Sequence, residues 1–237
     1  MKNNKFRIIV TQYNAVDYIE KCLDSIMSQT YTNYEVVVID DCSIDGTLDI
    51  VQKYPVYIIR NSFRTQISYI NFQKGIKMFP ENDEDIMVFL SGDDYFASDD
   101  VLSHLNEVYQ DDVWMTYGNF VPLSGGYGPF CYPIPNTRTY RKSPLWVASH
   151  LITFKKWLWD SIKEEDFKHN GEFPKYAFDC AFLYPMIEMS GHKHIRFINK
   201  VLYIYNDQNP MCIFKLDPEG SVECTNYFKN KPSYDEL

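Results

Sequence analysis

Two apolar runs that each lead into a pair of aspartates constrain this chain more than any other feature. Val36-Val37-Val38-Ile39 runs into Asp40-Asp41, and Ile86-Met87-Val88-Phe89-Leu90 runs through Ser91-Gly92 into Asp93-Asp94. A short continuous apolar run bounded by polar residues reads as a strand buried on both faces, the kind found in parallel α/β sheets. Acids that follow such strands emerge at their carboxyl ends, where open α/β sheets bind ligands. Crowded carboxylates repel one another, so the arrangement calls for a cation or a donor-rich ligand such as a nucleotide. The expected tenant is a divalent metal with a phosphorylated ligand.

The rest of the first half supports that setting. Strands are expected at 6–10, 35–39, 56–60, 86–90 and 113–120. Between them, 15–29 places Ile19, Leu23, Ile26 and Met27 at helical spacing, with Asn14 as a candidate cap. A short helix to Lys53 would be capped by Ser43 or Asp45, a third covers 67–78 and ends before Pro80, and Ser98 would cap a fourth over 99–109. Repeated strand–helix units imply an α/β fold with a mostly parallel sheet and right-handed crossovers. After Phe120 the pattern changes. Residues 122–144 are rich in Pro, Gly and Tyr and read as a long loop. Helices follow at 155–162 and 178–189, one or two strands over 194–205, and an irregular tail from Pro210.

Composition narrows the function classes. A net charge of −9 and the lack of any basic stretch argue against a nucleic-acid polymer as partner. The six cysteines, Cys22, Cys42, Cys131, Cys180, Cys212 and Cys224, include no Cys-x-x-Cys pair, which suits neither a zinc site nor a disulfide framework and fits a reducing cytoplasm. The polar start at 1–5 leads straight into a strand, so no signal peptide is expected, and no apolar stretch approaches the roughly 20 residues of a spanning helix. A cytoplasmic protein is expected, with peripheral contact to a membrane left open. The 19 Tyr and 16 Phe are spread over both halves, and those of the loop-rich second half are expected to serve as core first and as platforms for sugar rings second.

The segment Ile8-Ile9-Val10-Thr11-Gln12-Tyr13-Asn14, then Leu23-Asp24-Ser25-Ile26-Met27-Ser28-Gln29-Thr30-Tyr31, then Tyr34 through Asp40-Asp41-Cys42-Ser43-Ile44-Asp45-Gly46-Thr47 resembles the start of family 2 glycosyltransferases. The resemblance is good over about 5–110 and thinner beyond Phe120. It implies a single GT-A domain that takes a nucleotide-activated sugar with Mn²⁺ or Mg²⁺ and transfers the sugar with inversion to a glycan, lipid or protein acceptor. On this reading 1–120 is the donor half, 121–210 the acceptor half and 211–237 a carboxyl-terminal tail. Thr11 and Tyr13 resemble the residues that line the nucleobase pocket, and Asp41 the acid that accepts from a base N–H, which favours a UDP-sugar. An Asx turn capping the next helix competes for Asp40-Asp41.

Ser91-Gly92-Asp93-Asp94 resembles the family's Asp-x-Asp motif, with Ser91 where the first aspartate is usual. Gly92 and Asp93 then fall on the donor diphosphate, Asp93 holds the metal and Asp94 is an adjacent carboxylate; a solvated acidic turn is the competing reading. Asp179 matches the acid that faces the acceptor and is the candidate general base, since inverting transfer needs a base across the cleft from the nucleotide. A helix N-cap is its competing reading. Arg64, with Arg60 as a substitute, suits donor phosphate, although a surface arginine explains it as well. His150 falls near the acceptor side, and a hydrogen-bonded structural histidine is an equal alternative. His192 and His194 lack a third ligand and fit a turn better than a metal site. Where family members carry a histidine after the last core strand, this chain offers Asp207, Gln208 or water. The 122–144 loop would form an acceptor wall or lid. Two other readings stay open: a sugar-nucleotide binding module without catalysis, and, less well supported for want of a glycine-rich first loop, a nucleotidyltransferase.

Overall fold

A computed structural model describes residues 2–126, 131–211 and 216–237. Cys212 and the 127–130 stretch of the Pro-rich loop lie outside the described residues. The first half alternates strand and helix: β1 (Phe6–Gln12), α1 (Ile19–Met27), β2 (Tyr34–Asp40), α2 (Thr47–Val51), β3 (Tyr57–Arg60), α3 (Ser68–Met78), β4 (Ile86–Ser91), β5 (Tyr95–Phe96) and α4 (Val101–Val108). The second half adds β6 (Met115–Pro122), β7 (Ser149–Lys155), α5 (Lys156–Asp160), α6 (Phe178–His194), β8 (Ile195–Tyr205) and α7 (Pro218–Lys229).

These strands form one eight-stranded sheet in the order β3-β2-β1-β4-β7-β6-β8-β5. The β3-β2-β1-β4 block is parallel, as is the β6-β8 pair, while β7 runs antiparallel to β4 and β6, and β5 antiparallel to β8. The sheet is thus mixed but mostly parallel. Side chains alternate across it. Ile8, Val10, Val36, Val38, Val88 and Leu90 pack with α1 and α4 on one face, and Ile9, Val37, Ile39, Met87 and Phe89 pack with α3, α5 and α6 on the other. Both faces are covered, which is why these strands read as continuous apolar runs. The helix α3 approaches so closely that a Cβ on Gly75 would lie 2.5 Å from Ile9 Cγ2.

Several local expectations need correction. Ser149–Lys155 is a strand inserted between β4 and β6; its buried run Leu151–Phe154 has no periodicity that separates strand from helix. The tail is not irregular: α7 is capped by Asp217, whose Oδ1 accepts from Gly220 N at 2.9 Å, with proline at its first turn. Only Ser221, Cys224 and Phe228 of α7 are buried, a sparse apolar stripe that a sequence pattern barely registers. Asn14 does not cap α1. It adopts φ 47°, and its side-chain oxygen accepts from Ile44 N at 3.0 Å, tying the first loop to the second. Ser98 donates to Asp100 Oδ1 rather than capping α4. Among the described residues no helix is long and apolar enough to cross a membrane, and Cys22, Cys42, Cys131, Cys180 and Cys224 are free thiols.

Candidate active site

The chain runs outward from β1 to β2 and β3, then returns to place β4 on the other side of β1. Such a reversal opens a crevice at the carboxyl ends of the strands, the ligand position of doubly wound sheets. The acids behind β2 and β4 flank that crevice but divide into different tasks. Asp40 is fully buried and accepts from Gln12 Nε2, from Ser43 N at 3.2 Å, and pairs with Arg60 Nε at 3.4 Å. It fixes the turn but does not cap the next helix, since α2 starts after Gly46 with no side-chain cap. Asp45 extends the turn by accepting from Thr47 N at 3.0 Å at the start of α2.

Asp41 faces the other way, into the 61–66 loop. Its Oδ1 accepts from Asn61 Nδ2 at 2.7 Å and from Thr65 N and Oγ1 at 2.9 Å, and its Oδ2 accepts from Gln66 N at 2.9 Å. Burial alone would raise its carboxyl, but these four donors outweigh it and hold the pKa below the usual carboxylate value. The anchored loop carries Arg64, whose Cζ lies 3.7 Å from the centre of the Tyr13 ring. Arg60 turns away to Asp40 and the Ser43 carbonyl, so Arg64 is the arginine that reaches the crevice.

At the end of β4, Gly92 is buried against β1, and a Cβ there would stand 2.6 Å from Gln12 Cβ and 3.1 Å from Ile19 Cδ1. The absent side chain lets the acidic turn close onto β1, with Gly92 N donating to Thr11 O at 2.9 Å. Asp94 is 2 % exposed, and both its oxygens are engaged, by Tyr203 Oη at 2.5 Å and Asn206 N at 2.6 Å. Burial and the neighbouring Asp93 charge push its pKa to about 8. Asp93 is half-buried and accepts from Asn209 Nδ2 at 2.6 Å; burial raises its pKa and the Asn209 bond partly offsets this. From beyond β8, the Asn206 backbone thus reaches Asp94 and the Asn209 side chain reaches Asp93. Asp207, one of the two expected in that role, instead accepts from Ser124 N at 3.0 Å. The cue missed in the sequence was Asn209 within Gln208-Asn209-Pro210, a polar residue with no periodicity to mark it.

Thr11, Tyr13, Asp41, Arg64, Gly92, Asp93 and Asp94 all line one cavity of about 360 Å³. Asp179 and His150 line a neighbouring chamber of about 700 Å³ whose walls include the aromatic side chains of Phe72, Phe89, Trp146, Phe178 and Phe182. Ser68, Ser91, Lys175, Tyr176 and Tyr205 belong to both. Among the described residues of the 122–144 loop none lines either cavity; the outer wall of the large chamber comes from Trp146 and from Ser221, Val222, Thr225, Asn226 and Lys229 of α7.

Asp179 is the second residue of α6, whose cap is Ala177 in the left-handed region at φ 51°. Its carboxylate accepts only from backbone N–H groups of its own first turn, Cys180 N at 3.0 Å and its own N–H, so Asp179 is not the N-cap of α6, and the residue lines the chamber. The residue is solvent-exposed where it lines the chamber, and the protein packed around its carboxyl raises the pKa above the ordinary carboxylate value. His150 stacks on Tyr203 with ring centres 4.6 Å apart and 9° between planes, and burial lowers its pKa to about 4. It meets the chamber as a neutral imidazole. His194 is structural: Nδ1 lies 2.8 Å from Asp112 O and the ring stacks on Trp114. Among the described residues no group of three or more His, Cys, Asp or Glu side chains could hold a metal ion without further ligands.

The sheet order and the crevice are those of the GT-A fold, and solved structures agree. A fragment of Staphylococcus aureus TarS in complex with UDP-GlcNAc superposes with a TM-score of 0.66 at 21% identity, covering 86% of this chain and 59% of that one. The mannosyltransferase PcManGT from Pyrobaculum calidifontis, in complex with GDP-Man and Mn²⁺, gives 0.65 at 18% identity, covering 97% and 66%. In sequence, residues 7–166 match Glycosyl transferase family 2, and the chain belongs to that family. The S. aureus poly(ribitol-phosphate) beta-N-acetylglucosaminyltransferase TarS is 34% identical over 118 residues, 45% of this chain. That alignment spans only 20% of the length of TarS.

Proposed function

We propose that this chain is an inverting, metal-dependent glycosyltransferase that takes a UDP-sugar and passes the sugar to a hydroxyl acceptor. The observation that carries the reading is that seven candidate donor-binding residues line one cavity and the candidate base lines the chamber that adjoins it. The base, ribose and diphosphate would lie in the small cavity, with Tyr13 and Thr11 at the nucleobase and Arg64 beside them. Asp41 keeps lone-pair capacity on Oδ2, which accepts one protein hydrogen bond, and an imide N–H is a suitable second donor. The UDP-GlcNAc complex of TarS supports this choice of nucleotide, and the GDP-Man and Mn²⁺ complex of PcManGT supports a divalent cation.

The residues present fit such a cation modestly. Asp93 would hold it alone among the acids, because both oxygens of Asp94 already accept hydrogen bonds from Tyr203 and Asn206. Mg²⁺ and Mn²⁺ bound by one or two carboxylates with phosphates and water are ordinary chemistry. When bound, the cation offsets charge on the departing diphosphate. The chain's own residues do the rest. The acceptor hydroxyl in the aromatic chamber gives its proton to Asp179 while its oxygen attacks the anomeric carbon from the face opposite the nucleotide. The bond from that carbon to the phosphate oxygen breaks, and UDP leaves. Desolvation that raises the Asp179 pKa makes it a stronger base once ionised.

The test is UDP release from a panel of UDP-sugars by the wild-type protein and by Asp179→Asn. The wild type should turn over at least one donor, slowly by hydrolysis without acceptor, and the variant should bind UDP but lose turnover. Full transfer by Asp179→Asn would reject the base, and a folded wild type that binds UDP but never consumes a donor would favour a binding module.

A further inference from the structure

Of the five residues shared by the small cavity and the large chamber, Ser68, Ser91, Lys175, Tyr176 and Tyr205, only Lys175 carries a charge at neutral pH. This seam is where a donor's anomeric carbon and an acceptor hydroxyl must meet, and where charge grows on the leaving diphosphate. Lys175 is exposed there and, among the described residues, has no ion-pair or hydrogen-bond partner. Several lysines elsewhere on this acidic chain are paired, Lys155 with Glu84, Lys156 with Asp160, Lys168 with Glu165 and Lys231 with Asp166, whereas Lys175, among the described residues, stands unpaired at the seam.

The backbone on either side of Lys175 is braced. Phe173 stacks on Tyr69 at 4.1 Å between ring centres, and the Tyr176 hydroxyl donates to Asp217, the cap of α7. The next residue, Ala177, turns at φ 51° into α6 and Asp179. A free ammonium on a fixed loop is pre-organised for an anion, because little backbone order is lost on binding. None of the acids that line the small cavity pairs with it among the described residues: Asp41 is held by the loop donors, Asp94 by Tyr203 and Asn206, and Asp93 by Asn209.

We propose that Lys175 binds a phosphate of the donor diphosphate and stabilises the leaving nucleoside diphosphate, a positive charge supplied from the loop that delivers the base. The proposal rests on the donor site described under the proposed function. It is tested by titrating UDP and uridine into the wild type, Lys175→Ala and Lys175→Arg at fixed MnCl₂, with uridine followed by ligand-observed NMR. The expected result is a loss of about tenfold in UDP affinity in Lys175→Ala, the size of one charge-assisted contact, with uridine binding unchanged and most UDP affinity restored in Lys175→Arg. Wild-type UDP affinity in Lys175→Ala would overturn the proposal. The same affinity accompanied by a raised KM for acceptor would overturn it in favour of an anionic group on the acceptor. Equal weakening of uridine and UDP would also overturn it, by pointing to a structural role. A wild type that binds neither ligand would instead reject the donor reading itself, and the Lys175 assignment with it.

Discussion

Replacing Asp41 by asparagine isolates the electrostatic anchor of the 61–66 loop beside the smaller cavity. The carboxylate is 5 % exposed and receives four hydrogen bonds from the 61–66 loop, three on Oδ1 and one on Oδ2. Asparagine keeps one acceptor oxygen and offers an NH₂ in place of the other. With the amide oxygen on the three-donor side, the NH₂ confronts Gln66 N–H, leaving a backbone donor without a partner at a cost of about 1–3 kcal/mol. The other three bonds lose their charge assistance, and hydrogen bonds to charged groups are worth about 1.5–3 kcal/mol against 0.5–1.5 for neutral ones. Loop relaxation recovers part of this, so the expected loss of stability is about 3 kcal/mol. Urea unfolding at pH 7 measures it as a lower midpoint at unchanged slope. Because the folded pKa is lowered, the carboxylate's contribution is present above the unfolded value near 4 and disappears as pH falls through the folded value. The difference between wild type and variant should therefore persist from neutral pH down to about 4 and shrink below it. A loss under about 0.5 kcal/mol with the same slope would refute the anchoring role.

Three further outcomes follow from the site. With Asp179 as the proposed base, the rate of sugar transfer should fall on the acid side with an apparent pKa above the ordinary carboxylate range of about 4, because desolvation raises its carboxyl and the ionised form is the one that accepts a proton; a limb at the ordinary value, or none, in a kcat/KM profile would contradict this. Gly92→Ala forces a Cβ to 2.6 Å from Gln12 Cβ and should cost about 1–3 kcal/mol in urea unfolding while weakening UDP binding; wild-type behaviour in both would show that the turn has room to give. Glu188→Ala strands the buried guanidinium of Arg141, which donates to Glu188 Oε1 and Oε2 at 2.7 Å, and removes the acceptor for Tyr234 N. A loss of about 3–5 kcal/mol is expected from the midpoint of urea unfolding, and a loss under 1 kcal/mol would mean that solvent reaches Arg141.

The first half of the chain was legible because buried parallel strands leave a continuous apolar run and because the acids stand at fixed offsets from those runs. The pattern placed acids at the strand ends, and the family resemblance singled out Thr11, Tyr13, Asp41 and Asp93 among the residues there. The division of labour between neighbouring acids could not. Asp40 and Asp41 are adjacent in sequence, yet alternation along the chain sends one to the turn and the other to the 61–66 loop, and Asp94 is claimed by Tyr203, distant in sequence. Such partners are matters of tertiary contact, invisible to periodicity. The acceptor side was harder for a related reason. The strand β7 is a short apolar run that fits two secondary structures, and α7 buries only one side of a largely polar helix. Lys175 has no motif at all, and its place between the two cavities depends on how α6 and α7 pack.

The central claim is that the cavity behind β1, β2 and β4 is a nucleotide–metal site, and thermal unfolding with UDP, GDP, CDP and dTDP, each with and without Mn²⁺, tests it most directly. A ligand that binds only the folded chain raises apparent stability by mass action. Selective stabilisation by UDP that requires Mn²⁺ and is lost in Asp93→Ala is the predicted result. A folded wild-type protein whose midpoint moves with none of the four nucleotides would contradict it.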